Sequence, residues 1–314
     1  MDSFEGRLAV VTGGGSGMGR ELVIQLAAEG CSVATCDMNL DALAATAKLA
    51  EEGAPAGTRI TTHECNVADA EQMDRFRDEV VDQHAIGHVH LVFNNAGIGG
   101  GGSFVAGRRE DWERTFGVCW GGVYNGSRAF LPLLVASDSG YLVNTSSVNG
   151  FWASLGPGMP HTAYSAAKFA VKGFSEALLE DLRLNAPHVK VAVVMPGHIG
   201  TDIAINSWRA HSGSDELTGA DLAEIRATMA KRGMPVDSAS DSDIANMVQL
   251  MGESFRDNAP MTAADAATVI LEGVRAGKWR ILVGDDAHRL DAAVRADPDS
   301  AYGPDGLSLG VLGT

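Results

Sequence analysis

"AVVTGGGSGMGRELVIQLA", residues 9–27, runs from an apolar, β-branched stretch into an amphipathic helical pattern through a turn made almost wholly of glycine. It does not fit G-x-G-x-x-G. It fits T-G-x-x-x-G-x-G through Thr12, Gly13, Gly17 and Gly19. Glycine permits positive φ and lets backbone approach a ligand closely. Amides at the start of the following helix, around Met18, then face negative charge. Placed between a first strand and a first helix, the stretch predicts a βα turn that cradles a pyrophosphate. Gly13, Ser16, Gly17, Met18 and Gly19 are the candidate contacts, and a ligand-free tight turn is the alternative reading.

Outward from this turn, short apolar runs recur at 7–12, 32–37, 59–64, 90–95, 141–146, 189–195 and 280–284. Their near-continuous apolar character suits strands covered on both faces. Helical patterns lie between them, including "NLDALAATAKLAEE", "AEQMDRFRDEVVDQH", "REDWERTF" and "AYSAAKFAVKGFSEALLEDLRL". Alternation of strand and helix predicts right-handed crossovers and a Rossmann-type α/β fold, a doubly wound, seven-stranded parallel sheet with helices on both faces. We read one dinucleotide-binding domain over 1–290, with a tail at 291–314 that is either disordered or docked on a neighbouring subunit. Residues 202–260 show helical patterns, no strand and several methionines, as plain core or as a lid over a lipophilic ligand. The second strand ends in Asp37, eighteen residues beyond Gly19. A carboxylate there can accept both adenosine ribose hydroxyls and repels a 2′-phosphate, and no Lys or Arg follows in "DMNLDALAAT", so NAD is favoured over NADP.

The 314 residues are 45% apolar and 20% charged, with a net charge of −16. That balance disfavours nucleic acid and anionic membrane as partners. Four scattered cysteines (Cys31, Cys36, Cys65, Cys119) without a C-x-x-C pair suit reduced thiols in a cytoplasmic enzyme. "MDSFEGRLAVV" has no basic n-region, so no signal peptide is expected. No apolar run approaches the roughly 18 residues of a membrane span.

"HTAYSAAKFAVKGF", residues 161–174, places Tyr164 four positions before Lys168, so phenol and ammonium share a helical face. Either they are a surface pair, or the cation makes the phenol's proton labile. Together with Thr12–Gly19, "NNAG" at 94–97, "NTSSVNG" at 144–150 and "PGHIGT" at 196–201, this pair resembles the short-chain dehydrogenase/reductase family from about Gly6 to Gly284. The resemblance implies a nicotinamide-dependent enzyme interconverting a secondary alcohol and a ketone. It implies Tyr164 as acid–base group, Lys168 as its partner and ribose ligand, and Ser147 as the holder of the substrate oxygen. Ser146 is the weaker match. Asn94, Asn95, Ala96 and Gly97 would support the sheet and pass beside the cofactor. Asn66 and Val67 would meet adenine, and Pro196, Gly197, Ile199 and Thr201 the nicotinamide. Lys168 and the oxidised nicotinamide are expected to lower the phenol's pKa from about 10.

Three departures from the family pattern stand out. Asn66 replaces an aspartate. Seventeen positions separate Ser147 from Tyr164, about four more than usual, the excess falling in the Gly/Pro-rich "FWASLGPGMPH". Cys119 occupies the place of a relay asparagine. The resemblance also implies a homodimer or homotetramer through helices around 109–134 and 162–185. Phe151, Trp152, Trp208 and the methionines suggest a medium or bulky lipophilic substrate. An NADP-dependent ketone reductase and a dinucleotide-binding regulatory protein with weak turnover are the alternatives. His84, His88 and His90 have partly metal-like spacing but no acid or cysteine among them, so no metal is expected. "GIGGGGSF" (97–104) reads as a mobile rim or a solvent loop.

Overall fold

Strands β1 (Leu8–Thr12), β2 (Ser32–Asp37), β3 (Ile60–Glu64), β4 (Leu91–Asn94), β5 (Gly140–Thr145) and β6 (Val189–Pro196) pair in parallel with a last strand, Arg280–Val283. The sheet order is β3-β2-β1-β4-β5-β6 followed by that last strand. Two dipeptide strands, β7 (Ile199–Gly200) and β8 (Met261–Thr262), pair outside the sheet, which makes Arg280–Val283 β9. This computed structural model describes residues 1, 3–212, 217–231, 234–236 and 238–310. Parts of the expected lid (213–216, 232–233 and 237) and of the expected tail (311–314) lie outside the described residues.

Side chains of each strand alternate between two cores. Ala9 and Val11 of β1, with Tyr141 and Val143 of β5, pack under α1 (Gly17–Ala28), α2 (Leu40–Gly53) and α10 (Ala263–Arg275). Leu8, Val10 and Leu142 pack under α3 (Ala70–His84), α5 (Gly122–Val135) and α6 (Thr162–Asn185). Each fully buried Val or Leu contributes about 1.5–3 kcal/mol, so both sheet faces need cover and both receive it. α4 (Arg109–Phe116) runs into α5 through a π-helical stretch, Gly117–Gly121, which turns Cys119 inward. α7 (Ile203–Ser212), α8 (Gly219–Lys231) and α9 (Asp241–Asp257) follow β7, and Met229, Met234, Met247 and Met251 join Leu222, Val236 and Ile244 in a cluster of their own.

α11 spans Asp285–Ala296, so the boundary placed at 290 falls inside a helix. Ala287 and Leu290 of α11 pack with Val148, Trp152 and Ala301. Among the described residues, no helix is long and apolar enough to cross a membrane, and no group of three or more His, Cys, Asp or Glu could hold a metal. All four cysteines are buried and free.

Two of the spaced histidines serve the fold. His90 accepts the Leu8 N–H through Nδ1 at 3.1 Å, and His84 bonds Thr61 Oγ1 at 3.0 Å. Burial pushes both down to about 4, helped at His84 by Arg59 and His63 and at His90 by Arg7 and His88. Both are neutral in the fold and take up protons on unfolding once the pH is below their ordinary 6.5. Their contribution is complete above pH 6.5 and lost as the pH falls towards 4. The melting temperature is therefore expected to drop across that window, ahead of the carboxylates. A thermal-melt series flat down to pH 4 would refute this.

Candidate active site

In an open parallel sheet, ligands bind outside the carboxyl ends of the strands where the strand order reverses. Here that point lies between β1 and β4. The glycine turn sits on it. Gly13 N and Gly14 N both donate to Cys36 O, at 2.8 and 3.1 Å, which fastens the turn to β2. Gly13 has φ +72°, and a Cβ there would lie 2.8 Å from Ala96 Cα. Thr12 Oγ1 accepts the amides of Asn95 and Ala96 at 3.0 and 3.1 Å, and Asn95 Nδ2 donates to Thr12 O at 3.1 Å. The T-G-x-x-x-G-x-G and N-N-A-G motifs are thus one hydrogen-bonded unit.

Ser16 stands at the N-cap of α1 but its side chain caps no amide; its Oγ accepts from Asn206 Nδ2 of α7 at 3.2 Å. The first amides of α1 lack that capping partner, beside a turn in which only glycine fits. A Cβ on Gly19 would stand 2.0 Å from Gly13 O, and one on Gly17 3.0 Å from Thr201 Cγ2. Met18 follows on the first turn of α1. Asp37 Oδ2 accepts Gly15 N at 2.9 Å and Oδ1 accepts Asn39 N at 3.0 Å, holding the carboxylate over the turn. Arg20 also reaches in, donating to Gly15 O at 2.6 Å and Thr46 Oγ1 at 3.2 Å. Uncapped amides, a glycine cradle and a carboxylate at the second strand's end fit an adenosine pyrophosphate.

Asn66 and Val67 lie just beyond β3. Asn66 Oδ1 accepts Ala68 N at 3.1 Å, and Val67 O accepts Asn125 Nδ2 at 2.9 Å. Asn94 is placed differently from a cofactor ligand. Its carboxamide is buried and donates to Asn144 Oδ1 at 2.9 Å and Ser127 Oγ at 3.2 Å, so its side chain serves the joint between β4, β5 and α5. Ala96 and Gly97 carry the backbone across the crevice. A Cβ on Gly97 would lie 3.5 Å from Lys168 Nζ and 3.7 Å from Cys119 Sγ. Pro196 ends β6, Gly197 N donates to Val283 O at 2.9 Å, and Ile199 is buried in β7.

Ser147, Tyr164 and Lys168 come together at the ends of β5 and the start of α6. The buried Ser146 hydroxyl donates to Lys168 O at 2.7 Å. Ser147 Oγ accepts Asn149 N at 3.1 Å and its hydroxyl pulls the Tyr164 phenol down. Lys168 is buried, donates from Nζ to Thr145 O at 2.8 Å, and lies 5.3 Å from the Tyr164 ring centroid.

Burial nevertheless pushes the phenol well above 10, the Cys119 thiol acts the same way, and Ser147 opposes them without prevailing. Burial likewise pushes Lys168 down, against a smaller upward effect of Cys119. At the phenol, desolvation outweighs the Ser147 hydrogen bond. Cys119 does stand beside Lys168 and Gly97, but its thiol donates to Ile98 O at 3.1 Å. His161 packs on Tyr164 with ring centroids 4.7 Å apart, and burial pushes it down to about 4, leaving a neutral imidazole.

Several groups at the site carry no sequence motif. Asp286, buried at the start of α11, accepts His198 N at 2.7 Å and holds the "PGHIGT" loop. Ser207 Oγ accepts Gly99 N at 2.6 Å, and His211 Nε2 lies 2.9 Å from Gly99 O. Thr162 N and Ala163 N donate to Gly102 O and Gly101 O. The glycine stretch 97–104, read as a mobile or solvent loop, is a rim pinned by α6 and α7. Trp152 is 0% exposed and packs with the partly buried Phe151 beneath the C-terminal segment.

A family model for short chain dehydrogenases matches residues 7–212. A Mycobacterium tuberculosis protein carrying the designation oxidoreductase SadH is 36% identical over 295 residues, covering 94% of this chain and 92% of its own. A short chain dehydrogenase/reductase from Burkholderia phymatum, solved in complex with NAD, superposes with a TM-score of 0.75 at 29% identity over 98% of this chain and 100% of that one. A metagenomic short-chain oxidoreductase, solved in complex with NADP, gives a TM-score of 0.54 at 28% identity over 62% of this chain and 83% of that one.

Proposed function

The chain belongs to the short chain dehydrogenase family of NAD(P)-binding oxidoreductases, and on that footing we propose that it interconverts a secondary alcohol and its ketone with NAD(H). The observation that carries this reading is the meeting of Ser147, Tyr164 and Lys168, with Gly97 against Lys168 and its neighbour Ala96 against the glycine turn. NAD, when bound, supplies the hydride acceptor or donor. The amides opening α1 would hold its pyrophosphate, Asp37 the adenosine ribose, Asn66 and Val67 the adenine, Lys168 the other ribose, and the Pro196–Thr201 segment the nicotinamide.

The chain's own work is on the substrate oxygen. Ser147 holds it and stabilises developing charge. Tyr164 moves the proton to or from it. In the ketone-to-alcohol direction a phenol with a raised pKa already carries that proton at neutral pH. In the alcohol-to-ketone direction the phenolate is needed, and its population rises about tenfold per pH unit below the pKa. Alcohol oxidation should therefore climb steadily from pH 7 to 10 while ketone reduction stays nearly flat. Initial rates in both directions check this, and a flat oxidation profile would rule out a phenol titrating this high as the base.

The preference for NAD over NADP rests on Asp37, whose carboxylate would repel a 2′-phosphate. Arg20 near the same turn favours the NADP reading, but its guanidinium is bonded to Gly15 O and Thr46. Asp37→Ala should narrow the ratio of kcat/KM for the two cofactors about tenfold or more, the worth of a close like-charge contact near a surface. An unchanged ratio would move the discrimination elsewhere. α7–α9 read as a cover over the substrate side, because Asn206 and Ser207 join the glycine turn and the pinned rim. The substrate is read as medium or bulky and lipophilic. That reading rests on Phe151, Trp208 and the methionine helices, Trp152 being fully buried. A homodimer or homotetramer fits the aromatic surface of α5 and α6, where Trp120 lies against Tyr124 and Phe174, and Tyr124 and Phe169 are exposed.

A further inference from the structure

Beyond α11 the chain doubles back over the Gly/Pro-rich loop that joins Ser147 to α6. Three hydrogen bonds make the junction. Trp152 Nε1 donates to Ala301 O at 3.0 Å, Ala153 N to the Tyr302 hydroxyl at 3.0 Å, and Leu309 N to Leu155 O at 3.2 Å. Leu307 N also donates to Ala301 O at 3.3 Å, closing the tail into a compact loop. Ala301, Leu307 and Leu309 pack against Trp152 and against Val148, the residue after Ser147.

From the loop a second set of bonds leads to the serine. The buried Asn149 carboxamide donates to Trp152 O at 2.9 Å and to Ser154 O at 2.5 Å, and Trp152 N donates to Val148 O at 2.9 Å. Asn149 N in turn donates to Ser147 Oγ at 3.1 Å. The chain of contacts runs from tail to indole, from indole backbone to Asn149, and from Asn149 to the Ser147 hydroxyl. The loop itself is long and carries Gly156 and Gly158 at positive φ, with Pro157 and Pro160 alongside. Nothing in such a sequence fixes its path. The tail supplies that constraint.

We propose that residues 298–309 are a strap that positions Ser147, with Trp152 and Asn149 as the positioning residues between them. The inference rests on the reading of Ser147 given above only in its kinetic arm. The strap touches neither the glycine turn nor Asp37, so it bears on the substrate oxygen and not on dinucleotide affinity. A reacting group displaced by about 1 Å costs up to 100-fold in rate, and loosening one of several constraints should give about a tenth of that.

The test compares the whole chain with one ending at Asp297 and with full-length Tyr302→Phe and Trp152→Phe. Hydrogen exchange reads the amides of Asn149 and Ala153, and kinetics read kcat, substrate KM and NAD affinity. The expected result is faster exchange over 147–156, kcat down about tenfold and NAD affinity within about twofold of the parent. If the shortened chain does not fold, Tyr302→Phe decides, since it removes a single strap hydrogen bond with little change in packing, and Trp152→Phe, which removes another together with part of a buried ring, should act in the same direction. Unchanged exchange in folded variants would overturn the strap. So would faster exchange with kcat and substrate KM untouched. A parent protein that turns over no alcohol or ketone would instead fail the functional reading, and the exchange measurement would still decide whether the tail holds the loop.

Discussion

Tyr164→Phe is expected to lower kcat by about 100- to 10,000-fold, the usual worth of a positioned acid–base group. The substitution removes one oxygen from a half-buried ring and leaves the packing against His161, 4.7 Å between centroids, in place. It also removes a phenol that burial keeps protonated, so no charge is stranded. The melting temperature should stay within a few degrees of the parent. NAD affinity should be nearly unchanged, because the glycine turn, Asp37 and Lys168 are intact, with Lys168 still anchored on Thr145 O. Steady-state rates, a thermal melt and a cofactor titration separate these effects. Turnover close to the parent's would remove tyrosine from the proton transfer.

Gly19→Ala should weaken NAD binding by about 100-fold, equivalent to about 3 kcal/mol. Two effects oppose each other. Alanine is the better helix former by about 1 kcal/mol, and Gly19 lies in the first turn of α1. Against that, its Cβ would stand 2.0 Å from Gly13 O and 2.6 Å from Asn95 Nδ2. Both are parts of the hydrogen-bonded unit made by the turn and Asn95–Ala96, and neither is the free end of a flexible side chain. The turn must move away from the helix start, which breaks the alignment of its amides. Overpacking of this kind costs about 1–3 kcal/mol of stability, so a modest drop in melting temperature should accompany the loss of affinity. Parent-like affinity in a folded Gly19→Ala protein would mean that the pyrophosphate is not held there.

The parallel sheet was legible in the sequence because each strand is a short apolar run bounded by turn residues, and the strand–helix alternation allows few topologies. α5 was legible as a helix only through the family resemblance and not from its own pattern, because Gly122, Gly126 and Pro132 weaken its local signal; its burial under β4 and β5 overrides propensity. α11 was cut in two because "DAAVRADPDSAYGPDGLSLGVLGT", from Asp291, is rich in Pro, Gly and Asp and reads as a tail, although Ala287, Leu290 and Val294 recur at helical spacing. In the site, the groups that share a local motif were legible: the glycine turn, N-N-A-G, Ser147, Tyr164 and Lys168. Asn206, Ser207, His211 and Asp286 were not. Each acts on backbone or side chains far away in sequence, and no spacing announces such a contact. Trp152 illustrates a further limit: an aromatic in a Gly/Pro-rich loop has no periodicity to say which way it faces. The phenol's upward shift was hidden for a related reason, since sequence shows neighbouring charges and not desolvation.

In the proposed reaction, Ser147, Tyr164 and Lys168 couple proton transfer at a carbinol oxygen to hydride transfer from its carbon. The most direct measurement follows NADH formation by the parent protein at alkaline pH with a panel of secondary alcohols, each supplied with hydrogen or deuterium on the carbinol carbon. NADH formation slowed by deuterium is the predicted result. No NADH from any alcohol, together with no NADH consumption with the matching ketones, would contradict the claim and leave a dinucleotide-binding protein without this chemistry.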